Sequence, residues 1–382
     1  MTAGRRSLIP EKAWRRKGRL AATIGSFAAA RDAVKRTATK QSRSAGSLSF
    51  FLRAAGAGIA LFLAGQTAAA DTRVWEWRFP DPAARDYSTG VERLLADFEE
   101  TRGHALEPGA TGRVGLKVYT QSGPGLATPR ELVRALVASL ERRGFQREDI
   151  FLVDQSRYRL LQAGFLDRAG ANDFEGSPVY VLETGAHYDG DWHYESPLPP
   201  RTDFRRMMLP GLGISGEDEA FGVDRLSYLP FPLMHEVDFW INLPRYTDHP
   251  TLGVNGALVN ATLLNASNTG RFLNSRATGP AAAAEMAAIP ELREGWVLNL
   301  TTLEPFQFIG GPGFRSLYTV TKPVLWMSAD PVLLDALMAE EINRQRKKRG
   351  FSELGFLPLL DFAEQLGVGR NAPDAVEWIR LP

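Results

Sequence analysis

Val237-Asp-Phe-Trp-Ile-Asn-Leu-Pro-Arg-Tyr-Thr-Asp-His249 is the stretch that decides the fold class of this chain. Apolar residues run into a proline, as at the end of a buried strand. The chain then presents four polar side chains within thirteen residues: Asp248, His249, Asn255 and Asn260. Open α/β sheets build ligand sites in the crevice beyond their strand ends. The stretch therefore predicts an α/β fold and indicates where a site lies.

Strands and helices alternate on both sides of that stretch. Further strands are predicted at 112–119, 149–154, 179–183, 296–300 and 322–327, and helices at 129–143, 281–288, 331–349 and 359–366. Thr128 is predicted as the N-cap of the first helix, with Pro129 at its first position. This alternation predicts one α/β domain over 71–382, with a mostly parallel sheet flanked by helices on both faces. The Pro/Gly-rich residues 184–235 are predicted to form an irregular insertion.

Charge divides the chain into unlike segments. Residues 1–53 form a basic leader with thirteen Lys/Arg and two Asp/Glu, and residues 54–70 carry no charge. Residues 71–382 hold 32 basic and 42 acidic residues, a net charge of −10. An acidic domain lacks the basic surface that nucleic acid requires, so no nucleic-acid partner is expected.

Residues 54–70 have the pattern of a signal peptide. The segment is apolar and ends in small residues, and Ala68 and Ala70 satisfy the A-x-A cleavage rule before Asp71. We expect the mature protein to be periplasmic or otherwise exported, after a transient membrane contact through this segment. The alternative is a membrane anchor over 50–70, which is close to the roughly 20 residues that a spanning helix needs.

The chain contains no cysteine. Disulfides, thiolate zinc sites, cysteine nucleophiles and cysteine-ligated iron–sulfur clusters are therefore excluded.

The four polar residues after the central strand have two interpretations. His249 offers a neutral nitrogen and Asp248 a hard oxygen, which suits a divalent metal or a small anionic ligand. The alternative is a loop in which Asp and Asn side chains cap the following helix. Asp330, before Pro331, is a natural N-cap, whereas Asp335, one turn further, is harder to explain as a cap.

Two other features have the same two interpretations. Lys117 lies in an apolar strand and needs a partner, because burial of an unpaired charge is costly. Asp154 ends the adjacent predicted strand, so the pair is either structural or lines a site. Gly311, in a Gly-Gly-Pro-Gly run, either presents backbone N–H groups to an anion or forms a tight turn.

As a set, these pieces resemble domain-of-unknown-function family 362, whose members often carry export signals. The resemblance runs from about Val114 to Gly369. It implies that five residues face a shared cleft: Lys117, His249, Asn260, Asp330 and Asp335. Arg245 and Val259 stand where the family often has lysine, and Asn299 where an aspartate is common.

These observations predict an exported protein with a polar cleft, and three functions remain open. The first is an enzyme, with Lys117, His249 and Asn260 as catalytic residues. Ligand-binding residues would be Asp154, Asp248, Asn255 and Gly311, and metal ligands His249, Asp330 and Asp335. The second is a non-catalytic binding protein that uses the same cleft. The third is an assembly or scaffold protein that contacts a protein partner through 184–235. In a parallel sheet, the strands before His249 and Asp330 would end at the same edge.

Overall fold

A computed structural model describes residues 72–81, 83–167, 172–195, 226–273 and 275–381. The predicted basic leader, the apolar segment 54–70 and residues 196–225 lie outside the described residues. The described residues belong to one compact unit.

A nine-stranded mixed sheet forms the centre of this unit. Its strands are β1 Arg73–Arg78, β2 Val114–Lys117, β3 Ile150–Asp154, β4 Asp173–Phe174, β5 Ser177–Val181, β8 Phe239–Asn242, β11 Trp296–Thr302, β14 Val324–Ser328 and β15 Glu377–Leu381. Their order across the sheet is β15-β1-β14-β11-β8-β2-β3-β5-β4. Six more strands form three small antiparallel pairs: β6 Tyr188–Glu195 with β7 Leu226–Pro230, β9 Thr247–His249 with β10 Gly253–Asn255, and β12 Phe306–Gln307 with β13 Thr319–Val320.

Most neighbouring strands of the large sheet are parallel. β11, β8, β2, β3 and β5 run in one direction, and β15 is parallel to β1. β14 is antiparallel to both β1 and β11, and β4 is antiparallel to β5. The predicted mostly parallel α/β fold is confirmed. The expectation that the strands before His249 and Asp330 end at the same edge is wrong, because β14 runs against β8.

Nine α-helices occur in the described part of the chain. They are α1 Tyr87–Arg102, α2 Arg130–Arg142, α3 Arg157–Ala163, α4 Phe231–His235, α5 Ala257–Ala261, α6 Gly279–Ala287, α7 Pro290–Glu294, α8 Pro331–Lys348 and α9 Pro358–Gln365. Helices α1 to α3 pack on one face of the sheet, and α4 to α9 pack on the other. In β3, Ile150 and Leu152 enter the first core while Phe151 and Val153 enter the second. Helices on both faces were predicted, and this is confirmed.

Thr128 is not the N-cap of α2, so that prediction is wrong. The helix begins at Arg130 without a side-chain cap. The Thr128 hydroxyl instead accepts the backbone N–H of Tyr119 at 2.9 Å and donates to the carbonyl of Leu243 at 2.8 Å. Thr128 thus joins the ends of β2 and β8, where its hydrogen bonds satisfy buried backbone groups that have no strand partner.

The predicted irregular insertion is partly regular. Its described ends form the antiparallel pair of β6 and β7, followed by the short helix α4. None of the helices in the described ranges is long and apolar enough to cross a membrane.

Candidate functional site

A row of polar side chains crosses the middle of the large sheet at one level. Ser328, Asn299, Asn242 and Lys117 are in register on β14, β11, β8 and β2. The Asn242 amide donates to Asn299 Oδ1 at 2.9 Å and accepts from Asn260 Nδ2 at 2.7 Å. Asn260, from α5, also approaches the Lys117 carbonyl at 3.5 Å. The Asn242 and Asn299 amides bind each other, whereas Asn260 Oδ1 has no hydrogen-bond partner within the described residues. β2 and β8 therefore end in a fully buried polar layer.

Lys117 and Asp154 form a buried ion pair at the end of β2 and β3. The Lys117 ammonium lies 2.7 Å from Asp154 Oδ1 and donates to the Val118 carbonyl at 2.8 Å. Asp154 also accepts the Thr120 hydroxyl at 2.6 Å and the backbone N–H of Gln155 at 2.8 Å. The predicted pairing of these residues from neighbouring strands is confirmed. Burial lowers the pKa of Lys117, and the charge of Asp154 opposes that shift.

The Tyr119 hydroxyl connects this region to two loops. It accepts from Asn255 Nδ2 at 2.8 Å and lies 2.5 Å from the Ser122 hydroxyl, which in turn donates to the Pro312 carbonyl. Burial raises the pKa of Tyr119 to about 12, so the phenol is neutral. Asn255 Oδ1 is buried and has no hydrogen-bond partner in the described structure.

Arg245 is a cation enclosed by the protein, only 1% exposed. Its guanidinium donates to the carbonyls of Thr302 and Pro305, and its buried Nε–H has no partner in the part of the chain that the structure describes. Among the described residues, no carboxylate forms an ion pair with it; nearby Glu304 is bound to Arg85 at 2.7 Å. Burial lowers the pKa of Arg245 to about 10, so it remains charged at neutral pH.

Asp248 and Gly311 contact each other directly. The Asp248 carboxylate accepts the N–H of Gly311 at 2.8 Å and of Gly310 at 3.2 Å, and it pairs with Arg346 at 3.2 Å. A Cβ at Gly311 would collide with the Asp248 carbonyl and the Thr247 hydroxyl, which explains the glycine. The backbone donors predicted to receive an anionic ligand therefore already bind a carboxylate of the chain.

His249, at the end of β9, is buried in its own turn. Its Nδ1 accepts the backbone N–H groups of Thr251 at 3.3 Å and Leu252 at 3.2 Å, which assigns the ring proton to Nε2. Burial lowers the pKa of His249 to about 4, against the opposing charge of Asp248, so the imidazole is neutral at pH 7.

The two predicted metal aspartates cap different helices. Asp330 caps α8 by accepting the backbone N–H groups of Val332 and Leu333 with one carboxylate oxygen. Its other oxygen accepts the backbone N–H of Arg370 at 2.8 Å. Asp335 caps α5 from a distance: it accepts the N–H of Ala257 at 2.6 Å and of Leu258 at 3.0 Å. Tyr246 also donates its hydroxyl to Asp335 at 3.0 Å. Within the described ranges, no three His, Asp or Glu side chains are grouped as metal ligands.

The structure joins some of the predicted site residues and separates others. Lys117, Asp154 and Asn260 share the buried layer, Asn255 adjoins it through Tyr119, and Asp335 holds the helix that carries Asn260. Asp248 and Gly311 form a separate contact, while His249 and Asp330 mainly satisfy backbone groups of their own segments.

Sequence reasoning did not select Tyr119, Asn242, Asn299 or Arg245 as site residues. Asn242 and Asn299 carry a usable signal, because an amide inside an apolar strand must find a buried partner. Arg245 follows the proline that ends the central strand, so the reasoning that selected His249 as a site residue could also have selected Arg245.

No family model matches this chain, and no curated protein matches it. Among solved structures, it is similar to the crystal structure of a structural-genomics target protein from Thermotoga maritima, at 12% identity and a TM-score of 0.29. The alignment covers 73% of this chain and 58% of that protein, so the chain spans less than two thirds of its length. A likeness at this level carries no argument, and membership of family 362 stays a prediction.

Proposed function

We propose that this protein binds a small anion, such as a carboxylate or phosphate compound, beyond the ends of β2 and β8. The binding residues are Arg245, Tyr119 and Asn255, with the Lys117–Asp154 pair behind them. The observation that carries this proposal is the enclosed Arg245, a charge with which no carboxylate of the described structure forms an ion pair. Buried charges are ordinarily paired, because an unpaired one is costly.

The hydrogen-bonding capacity left open near Arg245 supports the same proposal. Within the described ranges, the Arg245 Nε–H has no acceptor, and Asn255 Oδ1, on the amide that contacts Tyr119, has no donor. An anion with one protonated oxygen would accept from the guanidinium and donate to the amide. Because the Lys117 charge is balanced by Asp154, Arg245 supplies the positive charge of the site.

The test is thermal unfolding and calorimetric titration of the protein with phosphate, sulfate, acetate and citrate. A ligand that binds only the folded state stabilises it by about 2.7 kcal/mol at one hundred times its Kd. We expect one of these anions to raise the unfolding temperature of the wild type, and Arg245→Gln to remove that rise.

Arg143→Gln is the matched control. Arg143 is also largely buried, but it lies at the C-terminal end of α2 and pairs with Glu92 and Glu99 of α1. Its replacement should lower stability and leave the response to anions intact. Equal anion responses in the wild type and Arg245→Gln would refute the proposal.

Catalysis at the same site is the second candidate. Burial lowers the pKa of Lys117, which favours proton transfer from its ammonium to a bound anion if that ligand displaces Asp154. Asn260 would orient the ligand, and His249 would act from the adjoining turn. Turnover of a metabolite panel that is lost in Lys117→Met and retained in Arg143→Gln would establish an enzyme.

We also propose that the protein is exported and is related to domain-of-unknown-function family 362. The uncharged segment 54–70 and the A-x-A site before Asp71 support export. N-terminal sequencing of protein from its native host should find a start at or near Asp71, outside the cytoplasm. An intact chain beginning with Met1 in the cytosol would refute export.

A further inference from the structure

The C-terminal end of α8 concentrates positive charge on a domain that is otherwise acidic. Within six residues it carries five cations: Arg344, Arg346, Lys347, Lys348 and Arg349. Arg344 pairs with Glu341, and Arg346 pairs with Asp248. Lys347, Lys348 and Arg349 are exposed and make no ion pair with any described carboxylate. Three uncompensated cations therefore face solvent in a domain whose net charge is −10.

Apolar side chains lie against this basic helix end. The Arg349 guanidinium lies 4.5 Å from the ring centre of Phe308, whose own centre is 6.3 Å from that of Phe351. Tyr318 contacts the same Phe351 ring at 6.1 Å. Leu317, next to Tyr318, is 87% exposed, and Phe351 is 37% exposed. These aromatic contacts hold Phe351 close to Arg349, and the exposed Leu317 directly precedes Tyr318 of the same cluster.

We name these residues the basic–apolar patch: Leu317, Lys347, Lys348, Arg349 and Phe351. We propose that the basic–apolar patch docks the protein on the surface of a membrane containing anionic lipids. The cations would contact lipid phosphates, and Leu317 and Phe351 would enter the boundary between headgroups and acyl chains. Cationic residues flanking exposed Leu and Phe form the pattern by which interfacial segments bind such membranes.

A lipid surface fits this patch better than an acidic protein or peptide does. Each Lys or Arg near an anionic leaflet contributes about 1 kcal/mol, and apolar side chains add to that when they leave water. An acidic polymer satisfies only the cations and leaves Leu317 in water. Arg245 donates to the carbonyls of Thr302 and Pro305, neither of which belongs to the patch, so this inference does not depend on the proposed anion site.

The first experiment places an environment-sensitive dye at position 317 of the full chain. Because the sequence has no cysteine, Leu317→Cys can be labelled with NBD at one position. Phosphatidylglycerol vesicles should shift the emission of this label to the blue, and phosphatidylcholine vesicles should not. Tyr158→Cys is the matched control, since Tyr158 is also apolar and 62% exposed but lies on α3. A shift at both positions, at neither, or equally on both lipids would overturn the proposal.

The second experiment separates the patch from any membrane contact by the predicted leader. In the labelled chain, Lys347→Glu with Lys348→Glu should weaken the phosphatidylglycerol response by at least about tenfold in lipid concentration. Arg93→Glu with Arg130→Glu changes two exposed arginines elsewhere and should leave it unchanged. Equal responses in the two double variants would overturn the proposal. A label response to polyglutamate in place of vesicles would assign the patch to an acidic partner and overturn it as well.

Discussion

Lys117 and Asp154 show how two charged residues at the ends of neighbouring strands become partners. Two parallel strands in register bring the side chains together, and Asp154 receives a hydroxyl and a backbone N–H in addition to the ammonium. Asp154 thus accepts three hydrogen bonds and Lys117 donates two, which offsets the cost of burying the ion pair.

Lys117→Met is therefore expected to lower the free energy of unfolding by about 3–5 kcal/mol, because it leaves the Asp154 charge buried and unpaired. Denaturant unfolding of the purified variant measures this loss. Arg134→Met, which breaks the exposed pair with Glu175, should cost less than about 1 kcal/mol. A second change, Asp154→Asn, should recover part of the loss in Lys117→Met. If the Lys117→Met and Arg134→Met variants were equally stable, the buried Lys117–Asp154 pair would contribute no more to stability than an exposed pair does.

His249 is expected to make stability depend on pH. Burial depresses its folded-state pKa to about 4, below the ordinary 6.5, so its contribution is present above pH 6.5. That contribution is lost as the pH falls through about 4, and it amounts to about 3 kcal/mol. Relative to the wild type, His249→Gln should lose less stability between pH 6.5 and 4 in denaturant unfolding. A parallel pH profile for the two proteins would contradict the burial of this ring.

The residue-scale predictions from sequence succeed where the chemistry is local. Asp330 was a cap by its position before Pro331, and Lys117 needed a partner because its neighbours are apolar. The capping role of Asp335 could not be predicted from the sequence, because it caps a helix that begins 78 residues earlier in the chain. Only the packing of α8 against α5 brings the two together.

At the scale of elements, α5 depends on that remote carboxylate. The helix has five residues, from Ala257 to Ala261, and no side chain of its own cap residue binds its N-terminus. Asp335 supplies the missing acceptor for Ala257 and Leu258. Because α5 carries Asn260 into the buried amide layer, α8 indirectly positions that layer.

Asp335→Asn is expected to change the pH profile in the direction opposite to His249→Gln. Burial raises the folded-state pKa of Asp335 to about 7, above the ordinary 3.8. The stability that this shift provides is fully present below pH 3.8 and lost as the pH rises through about 7. Its magnitude is about 4 kcal/mol. The variant lacks this titration, so its stability relative to wild type should improve between pH 4 and 7.

Asn343→Asp is the control for that experiment, since it adds a carboxylate to the same helix at a partly exposed position. The Asn343→Asp variant should show the same change in the free energy of unfolding between pH 5 and 7 as the wild type. A wild-type slope that Asp335→Asn does not alter would contradict protonation of Asp335 near neutral pH.

The sequence pattern revealed six strands of the large sheet: β5, whose residues alternate between buried and partly buried, and five strands that are buried on both faces. β2, β3, β8, β11 and β14 were all predicted, since strands inside an α/β sheet form short continuous apolar runs. β1 was not predicted, because Glu76 and two arginines interrupt its apolar residues. In the folded chain Glu76 accepts the Trp326 indole N–H at 2.9 Å and pairs with Arg78 at 2.8 Å. The sequence of β1 alone does not show that a residue 250 positions later provides a hydrogen bond for the buried Glu76.

The whole molecule is organised by one sheet whose outer strands come from distant parts of the chain. β1 lies between β14 and β15, and Trp378 of β15 packs on Trp326 of β14 at 5.1 Å between ring centres. The overall class was predictable because alternating strands and helices favour a parallel sheet. The direction of β14 was not, because its sequence is equally compatible with either orientation.

Deletion of residues 377–382 tests the importance of that edge. It removes the Trp378 and Ile379 contacts and exposes the unpaired edge of β1, so we expect a loss of about 3 kcal/mol or more. Denaturant unfolding measures the loss, and increased aggregation should accompany it. Arg380→Ala removes only an exposed side chain of the same strand and should cost less than about 1 kcal/mol. A deletion as stable as the Arg380 variant would show that the sheet does not need β15.

The position of β1 also determines when this protein finishes folding during its synthesis. Both neighbours of β1 are encoded about 250 to 300 residues after it. At about 5–20 residues per second, a ribosome needs roughly 12 to 60 seconds to supply them. Throughout that interval, the segment that directly follows the predicted export signal has no strand on either side. The nascent chain therefore remains incompletely folded next to the predicted signal until β14 and β15 are made.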